Sequence, residues 1–571
     1  MPVLVLAGWL TWPLPRLAWS PSGGAVLVQG DRLSSQRPWV VGSGGQAQVF
    51  LPLEWVRSHL DPHLVWDAAS GQVIVTRSDA VYRLPLRFPV VMHDGRPWME
   101  LALLQRLYGA PLAWVPASRT VVADPAGAAY GGGHVRGSGD VPLRAHPSWR
   151  SGAYAWLKPG TPLLVLRQSL VWLEVRDPQG RLGWLPLWRV RLGGGQVARA
   201  ARPAGLALPA AGEAAGKAAG GGGQAAALPA WAPHPPGSAP GAADGPRIPP
   251  GERLNLAFSL VTRQGLPGAV PPPAPGANVF APTWFELANG AGDVTSLGSV
   301  GAVDAAHRRG MQVWAVATNG FDPQRTHLFL QSAAARQRFV AQLLQQAALY
   351  RLDGINLDFE NVLPADGPLY TQLVRELVPP AHAQRLTVSV DVAILGGSPT
   401  WSGFFQHTEL GTAADFLVLM AYDQTWSGAP AAGPVAAVDW TESQLRQAIR
   451  QIPASRLLLG VPSYTRVWTE TPAPGGGAPK LTSAAVSTSQ GWKLAAQHGV
   501  KPVYDARTGL YLAEYRQGGS RVRIWLDGPR TWQARVGLVR QYRLAGVAVW
   551  QLGLASPDLW AALKGIQQPP Y

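Results

Sequence analysis

From residue 253 onward, short apolar runs recur along the chain, with longer amphipathic segments between most of them. The runs are Leu254–Ser259, Asn278–Pro282, Gln312–Thr318, Gly354–Glu360, Leu386–Ala393, Phe416–Tyr422, Leu457–Pro462 and Gly546–Leu552. Near-continuous apolar runs of this length suit strands buried on both faces. Eight of them, alternating with helical patterns, predict a closed (β/α)8 TIM barrel over 251–571. The stretch from Thr465 to Asp527, between the last two runs, is long and contains the strand-like runs Pro502–Tyr504, Leu510–Tyr515 and Val522–Leu526.

The N-terminal half is patterned differently. Leu64–Val75 is echoed by Leu112–Ala123, and each copy follows a short helical segment, Pro52–Leu60 or Glu100–Tyr108. The repeat predicts an α+β module over 25–130. Val49-Phe-Leu-Pro-Leu53 followed by Trp66-Asp67 resembles the copper-amine-oxidase N-terminal-like module, which implies wall attachment or scaffolding and no copper; a purely structural α+β spacer fits the same residues equally well. Residues 138–192 carry Val141–Ser148, Leu157–Thr161, Trp172–Val175 and Gly180–Leu185, short strands with Gly/Pro turns that predict a small all-β barrel. These runs resemble a bacterial Src-homology-3-like domain. Trp172 and Trp184 suit either its core or a ligand platform. Over 193–250 the chain is mostly Ala, Gly and Pro, which reads as a disordered linker. Residues 1–24 fit a signal or anchor remnant, with apolar Val3–Trp12 but no preceding Lys or Arg, or else a first strand. No run is long enough to predict a transmembrane span.

A length of 571 residues calls for several domains. The absence of cysteine rules out disulfides and thiolate metal sites. A formal charge of +15 suits a polyanionic surface such as an anionic cell wall, or equally an arginine- and alanine-rich compositional bias. No Lys/Arg block or nucleic-acid-binding motif accompanies that charge, so no nucleic-acid partner is expected. The histidines show no ligand spacing, so neither a metal nor a cofactor is expected.

The chemistry concentrates in Asp353-Gly354-Ile355-Asn356-Leu357-Asp358-Phe359-Glu360. Side chains alternate along a strand, so Asn356, Asp358 and Glu360 share one face, with Glu360 at the C-terminal end where barrel active sites gather. An acid with a second carboxylate behind it suits general acid catalysis. Asp353 is out of phase with that face and reads as a structural acid beside the motif's Gly354. The run resembles the Asp-x-x-Asp-x-Asp-x-Glu signature of glycoside hydrolase family 18, with Asn356 in place of its second Asp, as in the spore-germination and cortex-fragment hydrolase branch. Leu419–Asp423, Leu459–Tyr464 and Gly546–Leu552 match further strand ends of the family. The resemblance implies a small α+β insertion at about 465–527.

It also implies roles. Glu360 protonates the leaving oxygen and later activates water. Asp358 orients the substrate acetamido group, and Tyr422 donates a hydrogen bond to it. Trp550 forms the floor under the sugar, and the substrate's own acetamido oxygen is the nucleophile. Asp423, Trp284, Asn319 and Tyr464 are candidate sugar contacts; Asp391, on the inner pattern of the fifth strand, is not chosen as one. Asn356, which cannot ionise, is expected to leave Asp358 charged without a competing acid. The implied substrate is an N-acetylglucosamine polymer, either peptidoglycan or chitin, and the appended modules favour an extracytoplasmic wall or spore envelope. A barrel that binds without cleaving is the alternative from another class.

Overall fold

The computed structural model describes residues 26–29, 32–33, 37–43, 46–77, 80–109, 112–116, 119–123, 129–130, 132–193, 198–199, 252–262, 274–473 and 477–566. The expected remnant over 1–24 lies outside the described residues. So does the expected linker over 193–250, except for Gly193 and Ala198–Arg199; the latter forms a strand paired antiparallel with Ala129–Tyr130.

In the N-terminal repeat, each copy runs strand, helix, strand pair. Gln48–Pro52 leads into helix Leu53–His59 and then Val65–Asp67 and Gln72–Thr76. Arg96–Glu100 leads into helix Leu101–Tyr108 and then Leu112–Val115 and Thr120–Ala123. The apolar faces of both helices are buried through Trp55, Val56, Leu103 and Leu104. Residues 132–192 form a seven-stranded sheet around Val141, Leu143, Leu157, Leu173, Val175 and Leu185. Trp172 and Trp184, at 5% and 4% exposure, belong to its interior, whereas Trp149 and Trp188 are exposed.

The C-terminal barrel has eight parallel strands: β1 (Leu254–Ser259), β2 (Val279–Leu287), β3 (Gln312–Thr318), β4 (Gly354–Asp358), β5 (Thr387–Ala393), β6 (Phe416–Met420), β7 (Leu457–Pro462) and β8 (Gly546–Trp550). They pair in chain order, and β8 closes on β1 through Leu254↔Gly546 to Ala257↔Val549. The alternation of side chains splits the apolar residues between two layers. Leu256, Phe258, Ala281, Trp314, Val316, Val418, Leu458 and Ala548 fill the barrel interior. Ile355, Leu357, Phe359, Val390, Leu419 and Val549 face the surrounding helices. Burying Leu357 and Phe359 contributes about 1.5–3 kcal/mol each and fixes the register of β4, so its odd-numbered face lies outward and its even-numbered face inward. Gly354 is required on that inner face, because a Cβ there would come within 2.7 Å of the Trp314 ring.

After β7 the chain forms a five-stranded antiparallel sheet with helix Thr488–Gln497 packed on it. Three of its strands match the expected runs. Tyr464–Thr471 and Lys480–Ser487 are additional. Among the described residues no helix is long and apolar enough to cross a membrane.

Candidate active site

The inner face of β4 carries Asn356 and Asp358 upward to Glu360, which lies just beyond the last strand residue. Asn356 is fully buried. Its Nδ2 donates to Ser389 Oγ at 3.0 Å and to Asp391 Oδ1 at 2.8 Å, both on β5. Asp358 is 6% exposed, and burial pushes its carboxyl up to about 7. Glu360, partly exposed, is pushed up to about 8, chiefly by burial and then by the negative charges of Asp358 and Asp423. Asp391 is raised well above the usual carboxylate range by burial, then by Asp358; the Asn356 hydrogen bond opposes this, and Glu360 adds to it. The charges acting on Glu360 and Asp391 come from other acids rather than from cations.

Tyr422 lies just past the end of β6, and its phenol is held neutral by burial and by Asp391, Asp358 and Glu360. The next residue, Asp423, adopts φ 55° and accepts 2.7 Å from the Tyr464 hydroxyl, with Arg466 Nη2 at 3.5 Å. Trp550 ends β8 with its ring 5.7 Å from Phe258, at the top of the interior core. The ends of β7 and β8 are tied there: Ser463 Oγ donates to Gln551 O, and Ser463 N donates to Trp550 O.

Two expected sugar contacts are corrected. Trp284 is 3% exposed and packs between the barrel and its helices against Phe280 and Tyr350. β2 runs on to Leu287 rather than stopping at Pro282, so Trp284 keeps the outward phase of Phe280. Asn319 is fully buried and spends its amide on protein groups. Its Nδ2 donates to Glu360 O at 2.7 Å and Thr326 Oγ1 at 2.9 Å, and its Oδ1 accepts from Glu360 N at 3.1 Å. Asn319 therefore holds the backbone of the candidate acid, a role for which the sequence carries no signal because it depends on β3 and β4 ending side by side. Tyr464 is hydrogen-bonded to Asp423 and lies close enough to Tyr422 to act on its phenol. Beside Asn356 the neighbouring strand brings a further acid, Asp391, that the sequence reading of β4 alone does not include.

Asp353, at the other end of β4, accepts from Val313 N and His307 Nε2, each at 2.8 Å, and is structural. Among the described residues no group of three or more His, Asp or Glu is arranged to hold a metal ion.

The barrel agrees with the comparisons. Residues 305–555 match the profile of Glycosyl hydrolases family 18. The barrel is a family 18 glycoside hydrolase domain. Residues 137–190 match the Bacterial SH3 domain profile, consistent with the seven-stranded sheet. The chain is 26% identical over 275 residues to the uncharacterized glycosylase YvbX of Bacillus subtilis (strain 168), covering 45% of this chain and 76% of that protein. It is 27% identical over 250 residues to the Cortical fragment-lytic enzyme of the same strain, covering 43% of this chain and 56% of that enzyme. The crystal structure of the C-terminal domain of a candidate chitinase from Desulfitobacterium hafniense DCB-2 has the same fold, with a TM-score of 0.50 and 21% identity, covering 56% of this chain and all of that one.

Proposed function

We propose that this family 18 domain hydrolyses the β-1,4 bond on the reducing side of N-acetylglucosamine in peptidoglycan, with retention and with the substrate as nucleophile. The observation that carries the reading is Glu360, an acid pushed up to about 8 at the mouth of the barrel, two residues after a buried Asp358. A general acid must hold its proton at working pH. In the first step Glu360 gives its proton to the glycosidic oxygen as the C1–O bond breaks, and the acetamido oxygen bonds to C1. That closes an oxazolinium ring and leaves Glu360 as carboxylate. Asp358 balances the positive charge on the acetamido nitrogen, and neutral Tyr422 donates to the acetamido oxygen. Water then gives a proton to Glu360 and its oxygen to C1, and the ring reopens. Trp550 supplies the apolar floor under the sugar.

The choice of peptidoglycan over chitin is supported by the bacterial SH3 domain, by the net charge of +15 and by the similarity to a cortical fragment-lytic enzyme. On this reading the protein works outside the cytoplasm, on a wall or spore envelope, with its N-terminal modules, including the copper-amine-oxidase-N-like repeat, as attachment devices. Mass spectrometry of soluble products from purified peptidoglycan tests it. N-acetylglucosamine at the new reducing end is expected, and N-acetylmuramic acid there overturns the reading. Release of products from chitin but not from peptidoglycan would establish the chitinase alternative.

A further inference from the structure

Asp391 is a buried acid that the reaction above does not use. It projects from β5 into the barrel, where its Oδ1 accepts from Asn356 Nδ2 at 2.8 Å. The same Asn356 nitrogen donates to Ser389 Oγ, so one amide ties the catalytic strand to two side chains of its neighbour. Among the described residues, the titratable groups that interact with Asp391 are acids: Asp358 and Glu360 from β4, Tyr422 from beyond β6, and Tyr370 from helix Gly367–Ala383. Asp391 itself is 3% exposed. An anion there would be desolvated, would face two further carboxylates and would have no counter-ion. Of the three, Asp391 lies deepest and Glu360 is the most accessible. A neutral Asp391 relieves that repulsion and still offers a carbonyl oxygen to Asn356.

We propose that Asp391 is a positioning residue that stands below the catalytic carboxylates as an uncharged acid, bracing β4 through Asn356 and leaving the negative charge to Asp358. The inference rests on the proposed roles of Asp358 and Glu360. It also gives position 356 a meaning: the acid missing from β4 is carried one strand over, with the amide as the link between them.

Two measurements on the full chain test it. Infrared difference spectra of wild type against Asp391→Asn are taken at a pH where Asp358 and Glu360 have titrated. A protonated-carboxyl C=O band is expected in the wild type and absent from the variant. No such band in the wild type, or one that survives the substitution, overturns the proposal. This readout needs no turnover, so it decides the state of Asp391 even if the proposed reaction fails.

The second measurement is kcat and KM against pH on a nitrophenyl glycoside of di-N-acetylchitobiose. Asn reproduces the shape and neutrality of the protonated acid, whereas Ala removes the brace. Asp391→Asn is expected to keep a kcat about 10- to 100-fold above that of Asp391→Ala, with similar KM in both. The acidic limb of the Asp391→Asn profile should coincide with that of wild type, because removing an uncharged group takes no negative charge from beside Asp358. Had Asp391 been ionised, its removal would lower the pKa of Asp358 and move that limb to lower pH. Such a shift, or equal losses in the two variants, overturns the proposal.

Discussion

The two ends of β4 handle the same kind of residue in opposite ways. At the lower end, Asp353 is buried, and one carboxylate oxygen accepts from a backbone N–H and from His307. At the upper end, Asp358 is raised toward neutrality by burial, and Glu360 by burial and then by Asp358 and Asp423. Elsewhere in the barrel the pattern of the lower end prevails: Asp366 meets His327, Glu376 meets Arg336, Asp415 meets His382 and Asp527 meets Arg535. A buried acid with a donor or cation beside it is part of the framework. Buried acids left to one another are poised to move protons, and the fold bears a cost in stability to keep them so.

The strongest way to break this contrast is Glu360→Gln. It should lower kcat by about 10²- to 10⁴-fold on wall substrate, measured as release of reducing ends, because the amide cannot supply a proton. It should also change stability in the opposite direction. The folded state holds the Glu360 proton more tightly than the unfolded chain does. The stability this group contributes is therefore full below its ordinary value of about 4.5 and is lost as pH rises to about 8. Thermal melts should place Glu360→Gln above wild type near the upper limit and level with it near the lower. A lower melting point at the alkaline end would contradict the contrast.

Next in size is Arg336→Met. Arg336 and Glu376 are each 1% exposed and lie 3.0 Å apart, so the substitution removes the cation beside a buried carboxylate. Urea unfolding should show a loss of about 3–5 kcal/mol. Asp353→Ala removes the acceptor of the Val313 N–H and should cost about 1–3 kcal/mol in the same assay, with turnover per folded molecule unchanged. A loss of turnover there would make both ends of the strand catalytic and dissolve the comparison.

The smallest effect is expected at His382. Its hydrogen bond to Asp415 raises its pKa above 6.5, burial opposes this, and the Asp415 charge assists. The contribution is full below about 6.5 and is lost as pH rises through the folded value. Half-exposed as the pair is, His382→Gln should cost only about 0.2–1 kcal/mol. Melting curves of the two proteins should converge as the pH is raised.

Much of the barrel was legible in the sequence because its strands are buried on both faces and read as unbroken apolar runs. The inserted sheet was less so. Tyr464–Thr471 and Lys480–Ser487 are rich in Thr and Ser and half-exposed, so they lack the apolar signature that marks the barrel strands. Residues on the inner face of β4 followed from alternation alone. Trp284 was misplaced because Pro282 reads as a strand end, yet the strand continues past it. The contact between Asp391 and Asn356 was hidden because it arises only from the pairing of β4 with β5.

The amide of Asn319 works as a splint at the end of β4. It accepts from the N–H of Glu360 and donates to its C=O, as a neighbouring strand would, at a point where the ladder itself has stopped. Glu360 is thus gauged from β3 rather than from the turn that follows it. Such a splint holds the Glu360 backbone by two hydrogen bonds that do not depend on the loop beyond Asn361.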